Sequence, residues 1–364
     1  MLKCFMPIKN NIEKDKRYTN ATTNIVKYIN SKIINRLKRE IILDNDFVNV
    51  KACDEDSNSN ILYVILPYFN FCKSKRRYEL FIEFIERISK YDKIKIVISE
   101  ASNTDTFELP DNMDNIYQHH GYKLQTEFWC KENLINVAIR NLPSQWKYVA
   151  WIDADLTFLN ENWVEEALEE LDKAHFIQLY TSAVYLGPQE EAMRIDKSFG
   201  YMYKNSTTEW RNDHKYGFWH CGFAWACTRY AYDKTNGLID FAILGSSDHH
   251  MALALINKVE LSYPNNTNID KSFLEKLKDY EALVRIHKLN LSYINGTILH
   301  HWHGRLEDRK YVERWNIFYK HSYNPDKDIV YNDEGLINLT AEGKRMEQDI
   351  IEYFIGRNED NTEV

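Results

Sequence analysis

The sequence predicts an α/β fold built on a parallel sheet flanked by helices, behind an N-terminal helical extension. Three observations predict it. From Ile61 onward, short β-branched apolar runs alternate with amphipathic stretches, the pattern of strands joined by right-handed helical crossovers. Two carboxylates, Asp153 and Asp155, follow directly on one such run, where open α/β sheets bind their ligands. Residues 1–58, by contrast, are polar and charged with a single helical pattern among them.

In that first segment Ile25, Ile29, Ile33, Leu37 and Ile41 recur every four positions beside Lys27, Lys32, Arg36, Lys38 and Arg39. The result is a basic amphipathic helix that docks on its own domain or makes a peripheral membrane contact. The polar run Asp54 to Asn60 reads as a linker. Ile61–Pro67 is continuously apolar and ended by proline, as a buried parallel strand would be. A helix follows, with Tyr78, Phe81, Ile82, Phe84, Ile85 and Ile88 on its apolar face. Strand Lys93–Ser99, helix Lys131–Arg140 and strand Tyr148–Ile152 complete a β-α-β-α-β series. The expected domains are 1–58, a helical extension; 59–325, the α/β domain; and 326–364, a C-terminal helical tail.

The chain has 364 residues, 44% hydrophobic and 27% charged, which suits one large or two modest globular domains. No apolar run approaches the roughly 18 residues of a membrane span, so no transmembrane segment is expected. A formal charge of −8 argues against general nucleic-acid binding. The first strand-to-helix turn carries neither a GxGxxG nor a GxxxxGK[ST] motif, which excludes a dinucleotide fingerprint and a P-loop. The N-terminal residues lack the apolar core of a signal peptide, and the six cysteines show no CxxC spacing. Both point to a cytoplasmic, reducing location with free thiols, where sequons such as those at Asn205, Asn290, Asn295 and Asn338 stay unmodified.

Asp153 and Asp155, one residue apart at a strand end, can share a divalent cation and a ribose or phosphate oxygen, which suits Mn²⁺ or Mg²⁺ on a diphosphate. The same pair could merely end the strand and cap the helix beginning near Asn162. In the second half, Gly245-Ser246-Ser247-Asp248 precedes an apolar helical stretch and is an N-cap signal, yet a capping carboxylate also stays ionised, as a general base must. His300, His301 and His303 concentrate metal-ligand chemistry. In a regular strand His301 and His303 share a face, whereas His300 and His303 need a turn to converge.

These segments together resemble the beta-1,4-galactosyltransferase branch of GT-A glycosyltransferases over about Leu62 to Tyr319. The stretch Phe128–Ala138 followed by YVAWIDADLTFLNENW is similar to a helix with Lys131 and Asn136 before an aspartate-x-aspartate strand end. LPYFN looks like the family's first nucleotide-binding turn, bringing in Pro67 and Tyr68, although Phe69 stands where the family has arginine. Trp219–Ala226 is similar to the segment under the donor sugar, where only Gly222 of the family's glycine pair is kept. Gly237–Ile256 resembles the segment that places Asp248 at the catalytic-base position, and the family's metal-ligand spacing favours His300 with His303.

The resemblance implies a GT-A, Rossmann-like, mixed and mainly parallel sheet, and an inverting glycosyltransferase. It would move a sugar from a nucleotide-sugar donor, a UDP-sugar, to a glycan or other hydroxyl acceptor with Mn²⁺ or Mg²⁺. Asp155, His300 and His303 would hold the metal, while Pro67, Tyr68, Lys131, Asn136, Asp153 and Gly222 would hold the donor. Two other readings of the residues are a DHH-type phosphoesterase, from Asp248-His249-His250 with the aspartate pair, and a non-catalytic saccharide binder rich in aromatics.

Overall fold

The computed structural model describes residues 60–205, 219–263 and 268–363. The helix read at 25–41, and with it any membrane contact, lies outside the described residues, as does nearly all of the linker. The chain begins its core with β1 (Leu62–Phe69), α1 (Lys75–Ile88), β2 (Ile94–Ser102), β3 (Ile116–Lys123), α2 (Lys131–Arg140) and β4 (Tyr148–Ile152). In β1, Leu62, Val64, Leu66 and Tyr68 enter one apolar cluster, while Tyr63, Ile65 and Phe69 enter the other. A strand buried on both faces has to be apolar throughout. Pro67 does not end it: β4 pairs only Leu62 to Ile65, so beyond that point β1 is an edge on one side and tolerates a residue without N–H. The helix α1 starts where Ser74 Oγ accepts the Arg77 amide, and it buries Leu80, Phe81, Phe84, Ile85 and Ile88.

Next come β5 (Leu156–Phe158), α3 (Trp163–Leu171), β6 (Phe176–Gln178), β7 (Ser182–Leu186), β8 (Ala192–Ser198), α4 (Phe199–Asn205), β9 (Trp219–His220) and β10 (Ala224–Thr228). They are followed by α5 (Arg229–Thr235), α6 (Ser247–Leu255), α7 (Lys271–Ile286), β11 (Leu291–Tyr293), β12 (Thr297–His300) and α8 (Trp315–His321). The chain closes with β13 (Ile329–Tyr331), β14 (Ile337–Leu339) and α9 (Glu347–Ile355). The main sheet has the order β11-β6-β10-β4-β1-β2-β3. It is mixed and mainly parallel, because β10 runs antiparallel to β4 and β6 while the other pairs are parallel.

A second sheet, β5-β12-β7-β8-β9, sets the site. It pairs β12 antiparallel with β5, opposing His300 to Leu156, and so lays the histidine segment beside the residues that follow Asp155. The stretch 326–364, expected as a helical tail, also forms the hairpin β13–β14, and its Ile337, Met346, Ile350 and Phe354 share a core with β1 and α2. Three-residue strands are too short to show a period of two. Among the described residues no helix is long and apolar enough to cross a membrane, and Cys72, Cys130, Cys221 and Cys227 are free thiols.

Candidate active site

A cleft of about 860 Å³ opens at the carboxyl ends of β1 and β4. Pro67, Tyr68, Lys131, Asp153, Asp155, Gly222, Asp248, His300 and His303 all line it. Asn136, expected with them, is not brought there. Its amide nitrogen donates to Leu238 O (3.0 Å) and Asp240 Oδ2 (3.1 Å), and its oxygen accepts the Leu238 amide (2.8 Å), so it ties α2 to the chain before α6.

Asp155, His300 and His303 converge. His303 Nε2 is 2.8 Å and His300 Nε2 3.6 Å from Asp155 Oδ2, and the two imidazole nitrogens are 3.2 Å apart. Metal bonds of about 2.1 Å at right angles would set ligand atoms about 3.0 Å apart. The donor set therefore fits a divalent ion. A further sign is Asp155 Oδ1, which is buried with no hydrogen-bond partner. Among the described residues this is the one group of three or more such side chains close enough to hold a metal. The convergence needs the chain to leave β12 after His300, which turns His301 away: its Nε2 lies 2.8 Å from Thr157 Oγ1. Burial would raise the Asp155 carboxyl, but His300, His303 and Arg309 outweigh it and hold it well below the carboxylate range. Burial pushes His300 down to about 3 and lowers His303 as well, the direction that favours the neutral form a metal ligand needs.

Beside this group, Asp153 follows β4, its amide donating to Phe223 O (2.8 Å), and its carboxylate pairs with Lys131 at the start of α2. Burial raises the Asp153 carboxyl while Lys131 pulls the other way. Burial would lower Lys131, but Asp153, Glu132 and Asp248 prevail and raise its ammonium. Asp248 sits in the first turn of α6, with Oδ1 accepting the His249 amide at 2.8 Å. Ser246, at the N-cap, makes no side-chain capping bond and instead accepts from Arg314 at 2.5 Å. A side chain at Gly222 would displace Asp248: a Cβ there would lie 2.5 Å from Asp248 Oδ2 and 3.0 Å from His220 Cε1. His250 points into the core, 2.7 Å from Ser262 Oγ and against Phe273 and Trp315, so no DHH-type constellation forms in the cleft.

Several site residues escape sequence reasoning. Glu132, next to Lys131, is buried and lines the cleft, and burial pushes its carboxyl up to about 7. Arg77, Arg194, Arg309, Arg314 and Arg357 also line it and form an arginine wall, in which Arg194 pairs with Asp196 and both Arg77 and Arg357 pair with Glu359. Arg77 stands over the Phe69 ring at 5.5 Å and donates to Phe69 O, so an arginine reaches the first turn from α1 rather than from β1. Arg309 Nη2 lies 2.7 Å from His303 Nδ1 and donates to His303 O at 3.0 Å. Phe223, finally, has φ +77°, a conformation that costs a bulky residue about 1–3 kcal/mol.

No family model matches the chain, and no curated protein matches it. Solved structures do. A Drosophila beta-1,4-galactosyltransferase 7 complex with manganese, UDP-Gal and xylobiose aligns over 79% of this chain and 97% of its own, at 13% identity and TM-score 0.39. The catalytic domain of that enzyme with xylobiose covers the same shares at 14% identity and TM-score 0.36. A mannosyltransferase from Pyrobaculum calidifontis with GDP-Man and Mn²⁺ covers 83% of this chain and 71% of its own, at 12% identity and TM-score 0.35. The chain is similar to these sugar transferases, but at such low identities and TM-scores its function has to be argued from the site's own residues.

Proposed function

We propose that the protein is a metal-dependent inverting glycosyltransferase, moving a sugar from a nucleoside diphosphate donor, a UDP-sugar, to a hydroxyl of a glycan or similar acceptor. The observation that carries this reading is the assembly, in one cleft at the strand ends, of the Asp155–His300–His303 group and a separate carboxylate, Asp248, across Gly222. Two imidazoles and a carboxylate favour Mn²⁺ over Mg²⁺. Such an ion would supply Lewis-acid neutralisation of the departing diphosphate. Asp153, held by Lys131, offers an oxygen to a donor ribose hydroxyl, and the arginine wall balances phosphate charge. Asp248 accepts the acceptor's hydroxyl proton as that oxygen bonds to the anomeric carbon. The carbon–oxygen bond to the diphosphate breaks on the opposite side, so configuration inverts and no enzyme nucleophile is required.

Thermal shift with UDP and Mn²⁺ tests the metal assignment. The wild type should be stabilised, and Asp155→Ala and His303→Ala should lose that stabilisation while remaining folded. His300→Ala should weaken Mn²⁺ binding more than His301→Ala, since His301 is engaged with Thr157. Unchanged Mn²⁺ and UDP binding in the first two variants would remove the assignment.

A further inference from the structure

We propose that Glu132 acts through Asp248: one water, bound between them beside Ser247, passes the acceptor's proton from the Asp248 carboxylate to Glu132. This rests on the glycosyltransferase reading above and adds a positioning residue to it. A second, small cavity of about 10 Å³ adjoins the cleft, and Lys131, Glu132, Gly222 and Asp248 line both. That space suits one water, which needs about two to four polar partners. Glu132 reaches it from the first turn of α2, and Ser247 and Asp248 from the first turn of α6. Ser247 is 2% exposed, and its Oγ is buried without a hydrogen-bond partner among the described residues. A hydroxyl so placed calls for a bound water. Much of the remaining wall is apolar, with Leu238, Ile239 and Met251, and Lys131 is committed to Asp153.

The polar groups can all be satisfied at once. Asp248 spends one lone pair of Oδ1 on the His249 amide, which leaves room on its carboxylate for both the acceptor's hydroxyl and the water. The water accepts from Ser247 Oγ and donates to the two carboxylates. After the acceptor's O–H breaks onto Asp248, the Asp248 O–H breaks toward the water while one of the water's own O–H bonds breaks toward an ionised Glu132. The water is restored, Asp248 is again a base, and the proton rests on Glu132 until solvent in the cleft takes it. Glu132 lines that cleft and is 7% exposed. Burial, with Asp248 of α6 and Asp153 at the end of β4 adding and Lys131 opposing, makes its carboxyl hold a proton more firmly than an ordinary one.

Two measurements test this. A high-resolution crystal structure of the full chain should show a water within hydrogen-bond reach of Ser247 Oγ and of both carboxyl groups. A dry cavity, or a water meeting only one of the two, overturns the proposal. The second measurement is kcat for UDP release with Mn²⁺ from UDP-glucose and UDP-galactose, with methyl glycosides as hydroxyl acceptors, followed across pH. Glu132 receives a proton only when ionised, so wild-type kcat should rise through about pH 7. Glu132→Gln should lack that rise while keeping the donor's KM. Its kcat should match the wild type's well below that pH and be about 10-fold lower above it, short of the 10²–10⁴-fold of a direct base. Ser247→Ala keeps both carboxyls and loosens the water; it should lose less, with the same pH dependence, and carries the test if Glu132→Gln does not fold. A loss equal at every pH, which a merely structural Glu132 would give, overturns the proposal, as does an unchanged kcat in the folded variants. A wild type that releases no UDP overturns the glycosyltransferase reading, and the relay falls with it.

Discussion

Glu132 shows how strongly a single side chain can register its surroundings. It is buried at the head of α2, and burial dominates its shift, with Asp248 and Asp153 adding to it and Lys131 opposing. Its carboxyl therefore moves from an ordinary 4.5 up to about 7. The consequence for stability has a definite sign. Between these two values the native state binds a proton that the unfolded chain has released, so the protein loses stability as pH rises from about 4.5 to about 7 and levels off above. The loss is on the order of 3 kcal/mol at most. Glu132→Gln removes the titration, so its stability should exceed the wild type's increasingly over that window, as measured by urea unfolding at pH 5, 6 and 7.5. A difference that does not change with pH would show Glu132 ionised throughout.

At the scale of elements, α6 poses the question of whether Asp248 serves the helix or the chemistry. Asp248 is not the N-cap; its carboxylate accepts the His249 amide, and the side-chain oxygen of asparagine can accept the same donor. Asp248→Asn should therefore leave stability and donor affinity nearly unchanged while sugar transfer falls by roughly 10²–10⁴-fold, the usual share of a general base. A well-folded variant with full transfer activity would deny the role, and a large stability loss would make it structural. The same helix shows what the sequence could disclose. The GSSD signal placed the helix start correctly, since Ser246 is the N-cap, but did not disclose that Ser246 serves Arg314 instead of capping. Strand β4 and helix α2 were legible to the residue, because buried apolar runs and a 3.6-residue period are local properties. The choice between His300 and His301 was left open by periodicity, since it depends on where β12 ends and on Thr157 receiving His301. Asn136 looked like a ligand through its neighbours, while its partners, Leu238 and Asp240, lie about a hundred residues on. The cleft arginines, drawn from α1, β8 and the chain after β12, come together only in three dimensions.

For the described fold as a whole, the decisive contact joins α1 to residues 357–360. Arg77 Nε and Nη2 donate to both oxygens of Glu359 at 2.7 and 2.6 Å, and Arg357 Nε donates to Oε1 at 2.8 Å. Asp360 extends the seam by accepting Ser74 Oγ and the Arg76 amide at the start of α1. Both arginines line the cleft, so the C-terminal segment is part of the site's wall. Burial would raise the Glu359 carboxyl, but Arg77 and Arg357 overcome it and hold it well below the ordinary 4.5. Its contribution is thus complete at neutral pH, begins to fall below about 4.5, and is lost as pH drops through the native value. Glu359→Gln leaves the buried Arg357 and the part-buried Arg77 without their shared anion; breaking a fully buried pair typically costs about 3–5 kcal/mol. Arg77, whose side chain is 22% exposed, recovers some hydration, which sets the expectation near the lower end, at about 3 kcal/mol. Urea unfolding at pH 7 should show that gap, and repetition at pH 4 and pH 3 should show it narrowing as the wild-type carboxylate protonates. A gap below about 1 kcal/mol at pH 7 would place the pair in the range of solvent-exposed salt bridges. Residues 357–360 would then line the cleft without contributing much to its stability.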